Sequence, residues 1–436
     1  MKQFLLVCIF ISCLVACSGE AVVEETAVPT QTPLPTRTPT TTPVPFQPTI
    51  EPTAPPKATP DKAHTPPPLD YLAAEIEKSL ADFDGVASYV VVDLSNGERI
   101  EHNPDVAIAG MSLIKVPILI ETFVALDNPP DIEQTKLLTQ TTSLSSNFAA
   151  NLLLKTVIGP NDTHVGGDRV TEAMRDLGIF NTFIAVPYDL DPRPNHQNTY
   201  LTPANQRTDI TTKADIYRQT TVGDLADLLL MLYQCAQEDN GRLREAYPQT
   251  LTQAECQSIL ELMQLNELVK LLEAGLPEGI PIAHKIGYID DTYGDVSIVY
   301  SPNQDYLLAL SLYTPQYLEW AIASPLFAQI SELAYAHFND PQAYSEAILA
   351  QPPVLPATPT PVPVPDRPAA IVAGTQGIGL TLRNTPAGNE VTILPEGSVV
   401  YLLDDEPSQV GGIEWRNVTT IAGDSGWVGA DYLVTD

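Results

Sequence analysis

The stretch Met111-Ser112-Leu113-Ile114-Lys115-Val116-Pro117 carries the residues best suited to covalent chemistry. A serine and a lysine three positions apart lie one turn apart on a helix face, so the amine can reach the hydroxyl. A serine hydroxyl is a weak nucleophile until a neighbouring base takes its proton. Lysine serves as that base when burial and a second nearby cation lower its pKa. The apolar run Met111 to Leu126 predicts a helix. It places Ser112 near the helix N-terminus, where backbone N–H groups can stabilise an oxyanion. Ser-x-x-Lys by itself is common on helices, so its meaning depends on what accompanies it.

Two further stretches accompany it. Ser145-Ser146-Asn147 opens the helical run Phe148-Ala149-Ala150-Asn151-Leu152-Leu153-Leu154, and His284-Lys285-Ile286-Gly287 precedes Gly294-Asp295-Val296 on the next strand. In this order, on helix, helix and strand, the three stretches resemble the Ser-x-x-Lys, Ser-Asp-Asn and Lys-Thr-Gly elements of the class A β-lactamases and the wider penicillin-recognising serine hydrolases. The resemblance covers roughly residues 69 to 340. It implies an acyl-enzyme on Ser112, with Lys115 assisting as base and Ser145 relaying a proton to the leaving group. It also implies that Asn147 holds the substrate amide and orients Lys115. Lys285 would supply positive charge near Ser145 and the substrate carboxylate, in a substrate-binding strand that includes Gly287. The backbone N–H groups of Ser112 and Tyr288 would form the oxyanion hole. Plain structural roles stand beside these: Ser145 as a helix cap, Asn151 as a buried polar bridge, Lys285 as a strand-end charge.

The sequence departs from the family pattern in three places. Ile286 stands where a threonine or serine would bond a β-lactam carboxylate, and losing such a donor to a charged acceptor costs roughly 1.5–3 kcal/mol. Ser146 replaces a structural aspartate. No glutamate occurs between Glu172 and Glu238, the region where class A enzymes keep the base that activates the deacylating water. Asp189 and Asp191 are the shorter stand-ins there. Loss of that base spares acylation and slows hydrolysis. The 33-residue spacing from Ser112 to Ser145 is short for the family and implies a more open cleft.

The elements that must position these residues read as an α+β domain. Leu72, Ile76, Leu80 and Phe83 recur at helical spacing, Ala87 to Leu94 and Arg99 to His102 form a hairpin around Asn96-Gly97, and helical runs follow at Phe148 to Lys155, Arg169 to Leu177 and Asp224 to Tyr233. Strands return at Gly294 to Tyr300 and Tyr306 to Tyr313, before a last helix from Tyr317 to Phe338. This order predicts an antiparallel sheet made from both ends of the domain, covered by the two terminal helices, with a helical block between.

The 41 prolines crowd into two tracts, which divide the 436 residues. Residues 1–17 read as a lipoprotein signal peptide. Lys2 precedes the apolar run Phe4 to Ala16, and Leu14-Val15-Ala16-Cys17 resembles a bacterial lipobox with Cys17 as the lipidated residue. Residues 18–68 are a Thr/Pro-rich tether, 69–350 the hydrolase-like domain and 351–368 a Pro-rich linker. In residues 369–436, five short strands alternate with Gly, Asn and Pro turns and predict a small all-β barrel. Its Leu-Arg-Asn-Thr-Pro, Pro-Glu-Gly and Gly-Trp-Val-Gly-Ala-Asp-Tyr-Leu segments resemble a bacterial Src-homology-3-like domain, which implies peptidoglycan binding or a structural cap without ligand.

With Cys8 and Cys13 in the signal, Cys235 and Cys256 remain as a pair in an oxidising compartment. They sit on adjacent helical runs, so either a disulfide or two buried thiols is expected. A disulfide closing about 20 residues contributes roughly 3 kcal/mol. A net charge of −32 excludes polyanionic partners such as nucleic acid. The six histidines are scattered, so neither a metal nor another cofactor is implied. The expectation is therefore a monomeric, membrane-anchored serine hydrolase at a bacterial cell surface, acting on a small-molecule or peptidoglycan-derived substrate. A DD-peptidase or esterase that β-lactams only inhibit is the alternative within enzymes. A wall-binding protein with a degenerate hydrolase scaffold is the alternative outside them.

Overall fold

The computed structural model describes residues 64–436 apart from 195, 197, 208, 352, 354, 356–366, 376–377, 421–423 and 436. Cys17, the signal peptide and nearly all of the tether therefore lie outside the described residues, as does most of the second linker. No helix among the described residues is long and apolar enough to cross a membrane.

The chain runs α1 (Asp70–Leu80), β1 (Val86–Asp93), β2 (Arg99–His102), β3 (Ile108–Ala109), α2 (Lys115–Ala125), α3 (Ile132–Ser143), α4 (Asn147–Leu153), α5 (Thr163–Asp176), β4 (Phe183–Ile184), β5 (Arg218–Thr220), α6 (Val222–Glu238), α7 (Arg242–Ala246) and α8 (Gln253–Met263). Then come β6 (Ile282–Tyr288), β7 (Thr292–Val299), β8 (Tyr306–Tyr313), α9 (Trp320–Asn339) and α10 (Glu346–Leu349). Five strands form one antiparallel sheet in the order β2-β1-β8-β7-β6, so the first hairpin pairs with the last strand of the domain. This is the α+β arrangement that the sequence predicts.

Side-chain alternation along the strands divides the sheet between two cores. Tyr89, Val91, Leu308 and Leu310 face α1 and α9, where Leu72, Ile76, Phe327 and Phe338 complete one apolar layer. Val90, Val92, Leu307 and Ala309 face the helical block. Because β7 and β8 are covered on both faces, every residue in them is buried, which accounts for the nearly unbroken apolar run Leu307 to Leu312. Each fully buried Leu or Phe contributes about 1.5–3 kcal/mol relative to an exposed one. Helix starts in the block are fixed by side-chain caps: Asp131 with Gln134 on α3, Thr221 on α6, Thr252 with Glu255 on α8. A disulfide joins Cys235 on α6 to Cys256 on α8, their Cα atoms 6.0 Å apart.

Three short strands in the order β3-β5-β4 form a second sheet beside the block. It matters because β3 leads directly into the segment that carries Ser112. The Gly110 N–H donates to the Arg218 carbonyl at 2.8 Å, tying that segment to β5. The long connection from β4 to β5 begins at Ala185 and returns at Tyr217.

The C-terminal region is all-β, with β9 (Ala369–Val372), β10 (Leu380–Arg383), β11 (Glu390–Leu394), β12 (Val399–Leu402), β13 (Ser408–Val410), β14 (Ile413–Thr420), β15 (Ser425–Gly429) and β16 (Leu433–Val434). They form one sheet in the order β11-β10-β15-β14-β12-β9-β16, with β13 on β14. The five strands expected from turn spacing are all present. Of the three further ones, β13 and β16 span only three and two residues, too short to stand out from turns in sequence, whereas β9 is as long as β10 and β12. This unit packs on the β4–β5 connection: Leu201 joins Ala369, Ile371 and Tyr401 in one apolar cluster, and the Tyr401 hydroxyl donates to the Gln206 carbonyl at 2.8 Å.

Candidate active site

The expected helix from Met111 begins later, at Lys115, and this is a correction. Met111 adopts a left-handed conformation, φ 45°, which no L-residue carries into a right-handed helix. Residues 111–114 form a tight turn instead, in which the Lys115 N–H donates to the Ser112 carbonyl at 3.3 Å. Ser112 thus precedes the helix proper, half-buried, while Lys115 on the first turn is fully buried.

The pair is brought together all the same. Lys115 Nζ lies 2.7 Å from Ser112 Oγ, 2.9 Å from the Ser145 carbonyl, 2.8 Å from Asn147 Oδ1 and 3.3 Å from Ser145 Oγ. A neutral amine has two N–H donors and one lone pair. The Ser145 carbonyl and Asn147 Oδ1 are pure acceptors and fill the two donor positions, which leaves the lone pair for the Ser112 hydroxyl. Burial pushes the Lys115 pKa down to about 6, helped by the positive charges of Lys285 and Arg218 and opposed by Asp189.

Ser145 is also left-handed, φ 52°, and sits at the turn between α3 and α4. The helix cap there is its neighbour Ser146, whose side chain accepts the Ala149 N–H. Asn147 is the first residue of α4, which aims its amide at the amine. Asn151, one turn on, donates from Nδ2 to the Tyr188 carbonyl at 2.6 Å.

On the other wall, β6 carries Lys285 and Gly287 on the face toward the helical block. A Cβ at Gly287 would meet Met111 Cβ and Ser112 N at 3.0 Å, so only glycine lets the strand backbone come this close to Ser112. Lys285 is buried with its amine donating to the Ile286 carbonyl at 3.0 Å. Burial lowers its pKa to about 8, opposed by Asp295. Among the described residues it makes no hydrogen bond to Ser145; its charge reaches Lys115 through space. Tyr288 follows with a half-exposed ring stacked on Tyr293, centroids 5.7 Å apart.

Ile286 points away from this cleft, into the apolar layer against α1 and α9. Its register partner Asp295 is fully buried there and accepts from His284 Nδ1 at 3.0 Å and from the Leu272 N–H at 3.0 Å. The apolar side chain at 286 thus serves packing on the far face.

Sequence reasoning missed Tyr188 and Arg218. The Tyr188 hydroxyl donates to the Met111 carbonyl at 2.6 Å, and Lys115 Nζ lies over its ring, 4.4 Å from the centroid. Arg218 NH1 donates to the Val186 and Pro187 carbonyls at 2.8 and 3.1 Å, clamping the start of the β4–β5 connection to its end. The signal available in sequence was weak: an aromatic inside Pro187-Tyr188-Asp189, and an arginine in a chain with few cations. Asp189 and Asp191, the stand-ins for a deacylating base, are both exposed.

The fold and the site define a β-lactamase-like serine hydrolase domain. The model of the β-lactamase enzyme family matches residues 71–129 and 125–338, more than half of the chain, and the protein belongs to that family. Among solved structures, PBP-A is similar at 23% identity, covering 63% of this chain and 99% of its own, with a TM-score of 0.46. A class A β-lactamase described as the last common ancestor of Gram-negative bacteria gives 20% identity, 62% and 99% coverage and a TM-score of 0.45. A β-lactamase from Sphaerobacter thermophilus DSM 20745 gives 17% identity, 66% and 99% coverage and a TM-score of 0.45. No curated protein matches the chain.

Proposed function

We propose that this protein is a cell-surface serine acyl-transfer enzyme of the class A β-lactamase type that forms an acyl-enzyme on Ser112 from β-lactams or related amide and peptide-like substrates. One observation carries the reading: the buried Lys115 amine lies 2.7 Å from Ser112 Oγ with its donor positions already occupied. Lys115 takes the hydroxyl proton as Oγ attacks the carbonyl carbon. The N–H groups of Ser112 and Tyr288 hold the oxyanion, and Ser145 passes a proton from Lys115 to the leaving group as its bond to carbon breaks.

A peptidase-like outcome, in which the acyl-enzyme persists, is favoured by a specific observation. The loop residue anchored by Asn151 beside Lys115 is Tyr188, which offers no carboxylate to activate water. Anchoring at Cys17 and wall binding by the C-terminal unit complete the proposal; the leader and lipobox sequences and the all-β fold are their support.

Full-length protein incubated with a fluorescent penicillin tests this, with Ser112→Ala as control. Label on Ser112 that lasts for many minutes is expected. Fast substrate loss without label would point to efficient β-lactamase action. No label from penicillin or from a fluorophosphonate would sink the enzymatic reading. Peptidoglycan pull-down with the intact chain tests the C-terminal unit separately.

A further inference from the structure

Beyond Ser112 and Lys115, one side chain touches the parts of the site that the reaction would move. Tyr188 is buried at the start of the β4–β5 connection, its carbonyl held by Asn151 Nδ2 at 2.6 Å. Its hydroxyl donates at 2.6 Å to the carbonyl of Met111, the left-handed residue directly before the nucleophile. A non-glycine residue in that conformation persists only where its surroundings hold it, and this bond is such a hold. The ring also lies under Lys115 Nζ at 4.4 Å, with the Arg218 guanidinium 5.2 Å from the same centroid.

We propose that Tyr188 is a positioning residue for the Ser112–Lys115 pair: its hydroxyl fixes the backbone before the nucleophile, and its ring face stabilises the ammonium that forms on Lys115. This rests on the reading of that pair as the acylating machinery. In the step concerned, the Ser112 O–H bond breaks, an N–H bond forms on Lys115, and Oγ bonds to the substrate carbonyl carbon. Positive charge therefore appears on an amine that is shut off from water. An aromatic face within about 6 Å attracts such a cation most strongly where it is desolvated. The hydroxyl stays protonated as a donor, because burial raises the Tyr188 pKa. The charged groups facing Lys115 from the other elements are Lys285 on β6, Arg218 on β5 and Asp189 on the connection. The two cations disfavour the ammonium and Asp189 favours it, so the ring counters part of the cationic field.

The test uses full-length protein carrying ε-13C-lysine, with the Lys115 resonance assigned by its loss in Lys115→Arg. Tyr188→Phe keeps the ring and should leave the Lys115 titration midpoint unchanged. Tyr188→Leu and Tyr188→Met keep the site apolar without the ring, and should lower the midpoint by about one pH unit, a tenfold change in proton affinity. Two such variants guard against one that fails to fold. Tyr188→Phe should also slow labelling by fluorescent penicillin about tenfold with an unchanged pH profile. Wild-type midpoints in Tyr188→Leu and Tyr188→Met overturn the role of the ring. Wild-type labelling by Tyr188→Phe overturns that of the hydroxyl. A wild type that takes no label from any acylating probe overturns the acyl-enzyme reading, and the hydroxyl's role with it, whereas the lysine midpoint still decides the ring's.

Discussion

Lys115 Nζ and Ser112 Oγ are 2.7 Å apart although only the serine is open to solvent. The amine reaches the hydroxyl from inside the protein, and the hydroxyl faces solvent on its other side. Their separation is set by a tight turn, and the protonation of the amine is governed chiefly by its burial.

The pH dependence follows from that burial. With its pKa lowered to about 6, Lys115 is an ammonium below that pH and has no lone pair for Ser112. Above it the amine is neutral and accepts the proton. Acylation should therefore rise with pH through about 6 and then level off, read as the initial rate of label incorporation. Lys115→Ala should lower the plateau at least a hundredfold. A midpoint near 10 would mean that the amine is solvated.

Gly287 tests the approach of β6 to Ser112. In Gly287→Ala the new methyl would meet Ser112 N at 3.0 Å and displace either the strand or the turn. A displacement of a few tenths of an ångström at the reacting atoms should slow acylation about tenfold or more. The melting temperature should fall only slightly, and the two measured together separate misplacement from unfolding.

Asp295 is a structural counterpart. It is fully buried, accepts from His284 and from the Leu272 N–H, and lies on the face of the sheet away from the cleft. Asp295→Ala leaves both donors without a partner and should destabilise the domain by about 3 kcal/mol, measured by urea unfolding. The fraction that remains folded should still take label.

Reduction of the Cys235–Cys256 disulfide releases a 21-residue separation between α6 and α8. The expected loss is about 3 kcal/mol, seen calorimetrically as a fall in melting temperature of several degrees with reductant or in the paired Cys→Ser variant. An unchanged melting temperature would show that helix packing alone holds the pair.

Much of the domain was legible because its signals are local. Arg99 to His102 and Tyr306 to Tyr313 appear in the structure with the bounds that alternation and turn residues give them. The helix expected from Met111 failed at its start, because the left-handed turn there is held by Gly110 bonded to β5 and by the Tyr188 hydroxyl, both distant in sequence.

By itself the sequence determined the serine–lysine pairing, the order of the three motifs and the α+β succession of elements, since each depends on spacings of a few residues. Tertiary structure alone decided that Tyr188 and Arg218 belong to the site and that Ile286 does not. Tyr188 arrives on a long connection, and Arg218 on the short strand β5 that follows it, and no local periodicity encodes that path. The third depends on which face of β6 turns toward the helical block, which only pairing with β7 fixes.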